Sequence, residues 1–457
     1  MDIIGNTNKI TQYPGGLHNH TDYSNLRLRD AIIKTEDLLW HAAELGHEVV
    51  AITEHESLSN HVKAEKIYKK VKEKYPNFKL IRGNEIYLCR NGLNADNFNR
   101  ETDKYYHCVL LAKDAVGHKQ IREISTRAWR RSYMARGMRR VPTYYQDLFD
   151  IIAENRGHVI GTTACLGGAL PTQLIKYRET GSQELYEKII TWCEQMEWIF
   201  GQGNFYLELQ PAANRDQRYV NAMLMDIAKT YHFPYIITTD SHYLKREDKP
   251  IHKAYLNSQN GDREVDDFYA TTYMMGTEEL ESFMGLNREE LNEAYANIHH
   301  IKEMCEDYSL MKPLKIPQLK WKESKIGYVR NCWHERIPNI TKFVDSPYEG
   351  DQLLACHIVE QLETDMRLQA QNIYDAINEC LEMTWISSEV NKTHWSAYYL
   401  NLQKIIEECW NAGTLVGCGR GSGVGFILLY LLGITQINHQ WETTKTFAWG
   451  LTRKGSE

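Results

Sequence analysis

The sequence predicts an α/β fold in which seven short strands alternate with helices and close into a barrel, followed by a mainly helical region. One observation is a set of short apolar segments bounded by turn residues, which is typical of buried strands. Another is the helical spacing of apolar residues between them, as in 36–45, 58–75 and 184–200. Such alternation favours a parallel sheet with its functional loops at the strand carboxyl ends. The seven predicted strands are 16–20, 49–53, 80–84, 107–112, 158–163, 205–209 and 235–239.

After about residue 245 the pattern becomes mainly helical. Segment 311–322 contains two prolines and predicts an extended linker, and 323–350 has no regular pattern. A glycine-rich turn at 417–425 precedes an apolar helix, and the tail from residue 439 shows no periodicity. Predicted helical segments are 277–283, 289–308, 351–411 and 426–432. The predicted domains are 1–250, 251–322 and 323–457.

The composition is that of an ordinary globular chain. Of 457 residues, 42% are hydrophobic and 25% are charged, and no apolar run approaches the roughly 18 residues of a membrane span. The first residues lack a basic segment and an apolar core, so we expect no signal peptide and a cytoplasmic location. Ten cysteines without a C-x-x-C pair indicate reduced thiols. A net charge of −7 argues against attraction of the whole molecule to nucleic acid.

One segment is basic nonetheless. It holds seven arginines interleaved with Trp129 and Tyr133, and this pattern predicts a site for single-stranded DNA, because guanidinium groups pair with phosphates and aromatic rings stack on bases. A solvated basic helix face explains it equally well. The arginines are Arg122, Arg127, Arg130, Arg131, Arg136, Arg139 and Arg140.

Residues able to bind metal ions lie at most of the predicted strand ends. In His-x-His both side chains point to one face of a strand, and Asp240-x-His242 repeats that geometry. Imidazole and thiolate suit zinc, whereas carboxylates suit manganese or magnesium. Ions so held can bind a phosphate and lower the pKa of a water molecule. The candidates from position alone are His18, His20, His55, Glu85, His107, Cys165, Asp240 and His242.

Each candidate also has a simpler explanation. The chain has 18 histidines, so some lie near strand ends by chance, and a lone Cys165 is more often a buried thiol. His107 opens its predicted strand, so a bend would be needed to place it with the others. The remaining histidines in this half of the chain are expected to be structural or at the surface: His41, His47, His61, His118 and His158.

Five motifs resemble the polymerase-and-histidinol-phosphatase (PHP) domain, and more narrowly the version that opens the alpha subunit of bacterial or phage C-family replicative DNA polymerases. They are residues 17–24, 52–55, 83–85, 163–168 and 239–244. The resemblance implies a distorted seven-stranded barrel holding up to three ions, with His20, Glu85 and Asp240 as catalytic residues. Glu54 stands where the family usually has an aspartate. The implied ligands are His18, His20, Asp30, His55, Glu85, His107, Cys165, Asp240 and His242.

Residues 417–423 and 430–435 resemble the start of the C-family palm. The resemblance implies that Gly419, Arg420, Gly421 and Ser422 contact the triphosphate of an incoming nucleotide; a tight helix-entry turn is the alternative. No aspartate follows this turn, although the palm needs carboxylates for two magnesium ions. We therefore expect a truncated or split polymerase whose remaining palm, fingers and DNA-binding domains come from a second polypeptide.

Three functions remain open on the sequence. The first is a 3′–5′ exonuclease acting on a DNA 3′ end within a replicative polymerase. The second is a phosphatase for a small phosphate ester or pyrophosphate. The third is a structural metal domain without catalysis, although a structural site needs only about four ligands.

Overall fold

A computed structural model describes residues 11–89, 99, 104–135, 137–258, 268–318 and 325–438. By its contacts the chain divides into two compact units, residues 1–311 and 312–457. The boundaries predicted after residues 250 and 322 stay predictions. None of the described helices is long and apolar enough to cross a membrane.

A six-stranded mixed sheet forms the centre of the first unit, with the strand order β1-β2-β3-β6-β7-β8. Its strands are buried along nearly their whole length, as expected for a sheet covered on both faces. A two-stranded hairpin, β4-β5, lies apart from it and is absent from the sequence prediction. The strands are β1 Val49–Ile52, β2 Lys79–Cys89, β3 Tyr105–Ala112, β4 Tyr133–Ala135, β5 Met138–Arg140, β6 Val159–Thr162, β7 Phe205–Leu209 and β8 Tyr235–Ile237.

The first of the seven predicted strands is not a regular strand. Segment 16–20 forms one isolated bridge, between Asn19 and Ser241. Its backbone nevertheless contacts both ends of the sheet: Ala51 N–H donates to Gly16 at 3.0 Å, and His20 N–H donates to Ser241 at 2.9 Å. The segment thus lies between β1 and the residues after β8, but too few residues pair on either side to form a ladder.

The sequence predicted a parallel sheet, but the observed sheet is mixed. Strand β3 runs antiparallel to both β2 and β6, whereas the pairs β1/β2, β6/β7 and β7/β8 are parallel. Parallel neighbours need a long crossover, usually a helix, whereas antiparallel neighbours such as β2 and β3 do not.

Helices surround this sheet. Helix α3 is representative: Asp114 caps its first turn by accepting from Gly117 N–H at 2.8 Å, and Ile121, Ile124 and Ala128 are buried on its inner face. The helices of the first unit are α1 Thr35–Glu44, α2 His61–Lys74, α3 Ala115–Arg130, α4 Tyr145–Ile151, α5 Ala169–Thr180, α6 Gln183–Phe200, α7 Arg215–Tyr231, α8 Lys249–Asn257, α9 Thr277–Met284 and α10 Arg288–Met304.

The second unit is helical in its described part, as predicted, and has its own apolar core around Phe343, Leu354, Ile377 and Leu428. Segment 323–350 differs from the expectation of an irregular chain, because two short helices there bury Trp333 and Ile340 in this core. The helices are α11 Ile326–Trp333, α12 Ile340–Val344, α13 Glu349–Thr364, α14 Gln371–Asn391, α15 Trp395–Asn411 and α16 Ile427–Leu431.

Candidate metal centre

All nine ligating side chains predicted from the sequence lie in one connected cluster at an edge of the sheet. Most of them come from segment 16–20 and from the residues that follow β1, β6 and β8. Strand β2 supplies Glu85, and the loop before α1 supplies Asp30. His107 needs no bend, because the start of the antiparallel β3 lies at the edge where the parallel strands end. Eight of the nine are buried, and His107 is partly exposed.

Three groups within the cluster present ligand atoms within 4.8 Å of one another. The first is His18, His20 and Asp240, whose Oδ1 lies 3.2 Å and 3.1 Å from the Nε2 atoms of the two histidines. The second is His20, His55 and His242, and the third is Glu85, His107 and Cys165.

Glu85 connects the three groups, whereas Asp30 adds to the second. The Glu85 carboxylate lies 2.8 Å from His107 Nδ1, 2.5 Å from His55 Nδ1 and 3.4 Å from His18 Nε2. Asp30 lies 3.1 Å from His55 Nε2 and 3.6 Å from His242 Nε2, and both histidines belong to the second group.

A second layer of polar groups orients the imidazoles. Glu208, on β7, lies 2.6 Å from His18 Nδ1, and Ser24 Oγ lies 3.0 Å from His20 Nδ1. Both histidines thus direct Nε2 toward the centre, which is how partners of metal-binding histidines commonly act. Glu54 accepts hydrogen bonds from Ser24 Oγ at 2.5 Å and from Thr21 N–H at 2.9 Å, so it supports this layer without facing the centre. Nothing in the sequence pointed to this role of Glu208.

The backbone is strained where strands deliver these groups. Asp240 has φ = 47°, Ala164, beside Cys165, has φ = 54°, and Glu56, beside His55, has φ = 48°. Non-glycine residues in this left-handed region are uncommon and persist where the surrounding structure fixes them, often at functional sites.

Mutual electrostatics sets the protonation of the cluster. Burial and the neighbouring His55 and His242 lower the pKa of His20 to about 3. Burial disfavours a charged His55, but Asp30 and Glu85 outweigh it and raise its pKa to about 10. Burial likewise opposes ionisation of Asp240, yet His18 and His242 hold its pKa below the usual range. The carboxylates are therefore ionised and His20 is neutral, whereas His55 is protonated and has to lose its proton to bind a metal ion.

The donor set fits divalent cations. Glu85 Oε1 and Asp240 Oδ1 are buried and form no hydrogen bond of regular geometry with the described residues, although imidazole nitrogens lie 2.8 Å from the first and 3.1 Å from the second. Such an unsatisfied carboxylate oxygen is costly unless a cation or donor compensates it. Imidazole, thiolate and carboxylate ligands together suit zinc or manganese, and the carboxylates also admit magnesium.

The predicted DNA-binding arginines are only partly available. Arg131 binds Asp147 through two hydrogen bonds of 2.5 and 2.8 Å, and Arg127 donates to Asp150 at 3.0 Å. Arg122, Arg130 and Arg139 are exposed, Arg140 is partly exposed on β5, and Arg136 lies outside the described residues. Arg127 and Arg131 are thus occupied by acids, and for the exposed arginines both a solvated face and DNA binding remain predictions.

The glycine-rich turn of the second unit is exposed. Gly419, Arg420, Gly421 and Ser422 all face solvent, and the α16 helix that follows has only five residues. Gly419 has φ = 120°, and an added Cβ would lie 2.8 Å from Val424 Cγ1, so a glycine is required there. This geometry explains the glycine as a turn residue and leaves phosphate binding a prediction.

The histidines assigned to structural or surface roles lie outside the cluster. His61 and His118 form a buried pair with ring nitrogens 3.0 Å apart, and His47 is buried with Nε2 3.1 Å from the Met275 carbonyl oxygen. None of the ten cysteines forms a disulfide.

Two known families match the sequence. Residues 16–212 match the PHP domain, and residues 353–444 match the bacterial DNA polymerase III alpha NTPase domain. The chain therefore combines a PHP domain with part of a polymerase III alpha domain, and its metal cluster lies within and just beyond the first match.

Its relatives are DNA polymerases. The chain is 35% identical over 449 residues to a protein described as probable DNA polymerase YorL of Bacillus subtilis, and equally to the DNA-directed DNA polymerase of Bacillus phage SPbeta. Both alignments cover 93% of this chain and 34% of the relative. DNA polymerase III subunit alpha of Aquifex aeolicus is 27% identical over 92% of this chain and 33% of its own length. The chain thus spans about a third of the length of these relatives.

A solved metal-dependent phosphoesterase from Bifidobacterium adolescentis aligns with 50% of this chain and 87% of its own, at 13% identity and a TM-score of 0.30. That likeness is too weak to support a conclusion.

Proposed function

We propose that the PHP domain is a metal-dependent 3′–5′ exonuclease that acts on DNA within a C-family replicative polymerase. The main support is the buried cluster of nine ligating side chains, in which Glu85 Oε1 and Asp240 Oδ1 face imidazole nitrogens but form no hydrogen bond of regular geometry with the described residues. A structural site needs about four closed ligands, so nine favour catalysis over structure alone.

The three ligand groups would hold up to three divalent ions, zinc or manganese or both, with magnesium a further candidate. When bound, such ions neutralise a phosphate and lower the pKa of a water molecule. Glu208 and Ser24 engage Nδ1 of His18 and His20, so that Nε2 of each ring would be available to hold an ion.

His20, Glu85 and Asp240 are the proposed catalytic residues, because each contacts more than one ligand group. His20 belongs to two of the three groups. Glu85 contacts His18, His55 and His107, and Asp240 contacts the first group as well as His242, at 3.6 Å. Substitution of any of the three should therefore disturb more than one ion.

The proposed substrate is the 3′ end of a single strand or a primer–template, because the relatives are DNA polymerases. Arg130, Arg139 and Arg140 are the arginines best placed to bind its backbone, since Arg127 and Arg131 are engaged with carboxylates. The exposed turn at Gly419–Ser422 would bind the triphosphate of a nucleotide in the polymerase active site. The proposed place of action is the bacterial cytoplasm.

A small-molecule phosphatase is the second candidate. The observation in its favour is that Arg127 and Arg131 pair with Asp150 and Asp147. Fewer arginine side chains are then left to bind the phosphates of a DNA strand. The same metal cluster could hydrolyse a small phosphate ester or pyrophosphate.

The test compares degradation of a 5′-labelled single strand with hydrolysis of pyrophosphate. Wild type should give a ladder of shortened labelled products that requires added metal. Asp240→Asn and His20→Ala should lower that rate at least about a hundredfold, whereas the exposed Asp226→Asn on α7 should match wild type. Metal content is measured for each protein. Unchanged degradation in both site variants would rule out the exonuclease, and hydrolysis of pyrophosphate alone would favour the phosphatase.

A further inference from the structure

The loop between His20 and Asp30 buries an arginine whose charge is not satisfied by hydrogen bonds. Arg27 follows a single 3-10 turn, Ser24–Leu26, and its backbone N–H donates to the Ser24 carbonyl at 3.0 Å. The residue is 5% exposed, and its Nε and Nη1 atoms are buried without a hydrogen-bond partner. Arg29, two residues further on, is exposed.

A nearby acid does not resolve this. Glu56 lies close enough for the charge of Arg27 to act on its carboxyl group. Its Oε1 atom, however, accepts from Tyr87 N–H at 2.7 Å and from Thr143 Oγ1 at 3.3 Å, and its Oε2 atom has no partner. The Glu56 carboxyl group is therefore turned toward other donors, and Nε and Nη1 of Arg27 stay unsatisfied.

The position of Arg27 is fixed by an aromatic ring that belongs to the metal centre. Its guanidinium carbon lies 4.4 Å from the centre of the Tyr87 ring. Tyr87 in turn places its hydroxyl 3.2 Å from His55 Nδ1, and its ring centre is 4.7 Å from that of His107. Arg27 thus lies on the side of the cluster formed by His55, Glu85 and His107. Stacking on the ring leaves the N–H donors in the guanidinium plane available to another group.

A buried cation without hydrogen-bond partners destabilises the free protein and is retained where it serves a ligand. The ligand must be an anion with several acceptor oxygens, because the guanidinium offers a planar fork of donors. A phosphate group is the anion that the neighbouring metal ligands are suited to receive. We propose that Arg27 binds a phosphate group of the substrate beside the His55–His107 side of the metal centre. The inference rests on the proposed phosphoesterase function but does not require DNA to be the substrate.

The test measures binding of thymidine 5′-monophosphate to the full, manganese-loaded chain by calorimetry, with thymidine as the probe that lacks the phosphate. Arg27→Met should weaken binding of the monophosphate about ten- to hundredfold. Arg27→Lys should fall between wild type and Arg27→Met, because an ammonium keeps the charge but loses the fork. The matched control, Arg29→Met, should bind like wild type. Equal affinity in Arg27→Met and wild type would overturn the proposal.

If Arg27 were needed for folding, its replacement would lower the melting temperature even without ligand. The proposal predicts no such fall. Methionine keeps an apolar stem on the Tyr87 ring and removes the unsatisfied charge, so the melting temperature and metal content of Arg27→Met should equal or exceed those of wild type. A fall of more than about 5 °C together with metal loss would contradict the proposal. If wild type fails to degrade DNA but its monophosphate binding depends on Arg27, the exonuclease proposal falls and the Arg27 proposal stands. If wild type degrades DNA but Arg27→Met binds the monophosphate as tightly as wild type does, the exonuclease proposal stands and the Arg27 proposal falls.

Discussion

His107 Nδ1 lies 2.8 Å from Glu85 Oε1, and the two residues are diagonal neighbours across the β2–β3 pair. In the antiparallel register Tyr87 faces His107 and Glu85 faces Val109, so both side chains project from the same face. The reversal of β3 thus brings the start of one strand to the edge where its parallel neighbours end. Through Glu85, this pairing connects the group of Glu85, His107 and Cys165 to His18 in segment 16–20.

Removal of metal should destabilise the first unit selectively. The carboxylates of Asp30, Glu85 and Asp240 converge in a buried space. When the free concentration of an ion that binds there is a hundred times its Kd, binding stabilises the folded state by about 2.7 kcal/mol. Treatment with a chelator should therefore lower the melting temperature by about 5–10 °C. Hydrogen exchange followed by mass spectrometry should show faster exchange in peptides 11–30 and 235–245, with little change in 350–411. Equal acceleration in both units would contradict this assignment.

Glu208→Gln should weaken metal binding although Glu208 belongs to none of the three ligand groups. Its carboxylate accepts a hydrogen bond from Thr238 Oγ1 at 2.5 Å and orients His18 from Nδ1 at 2.6 Å. Loss of such a partner typically lowers metal affinity ten- to hundredfold. Competition with a chromogenic chelator measures the affinity, and the exposed Glu187→Gln on α6 is the control. Wild-type affinity in Glu208→Gln would show that the contact does not tune the site.

The buried His47 should make stability fall in mild acid. Burial lowers the pKa of His47 from 6.5 to about 4. As pH falls below 6.5 the unfolded chain binds this proton first, so stability is lost between pH 6.5 and about pH 4. The loss from this residue between pH 7 and pH 5 is about 2 kcal/mol.

Urea unfolding at pH 7 and pH 5 checks this expectation. His47→Gln cannot titrate but can still donate to the Met275 carbonyl, so it should lose less stability over that range than wild type. The variant could be less stable than wild type at pH 7, and only the difference between the two pH values tests the prediction. An identical pH dependence in both proteins would refute it.

The arginines of the basic segment should separate into two classes. Arg131→Ala removes the paired contact with Asp147, whose carboxylate also accepts from Tyr144 N–H at the start of α4, and should cost up to about 1 kcal/mol of stability. The double variant Arg130→Ala, Arg139→Ala should leave stability unchanged but weaken single-stranded DNA binding. Each lost phosphate contact should reduce the slope of log K against log salt by about 0.7. A larger loss of slope in Arg131→Ala than in the double variant would reverse the assignment.

The periodicity of the sequence determined most of the fold. Apolar segments located six of the seven predicted strands, and three- and four-residue spacing located α1, α2 and α6 to within about three residues. Segment 16–20 was predicted as a strand, yet regular pairing depends on how many partners the neighbouring strands present. The short helices α11 and α12 carried too few turns for a clear periodic signal and are stabilised by the core that buries Trp333 and Ile340.

Residue type and position at strand ends predicted eight of the nine side chains of the candidate metal centre, because both are local properties, and the family resemblance added Asp30. Only the tertiary structure decided how they meet: the direction of β3, the contacts of Glu85 and Asp30 with the histidines, and the support of His18 by Glu208. It also showed that Arg127 and Arg131 are paired with acids while Arg27 is buried with unsatisfied nitrogens. The physical reason is that a charged side chain binds or stays free according to what approaches it from distant parts of the chain, which no local pattern records.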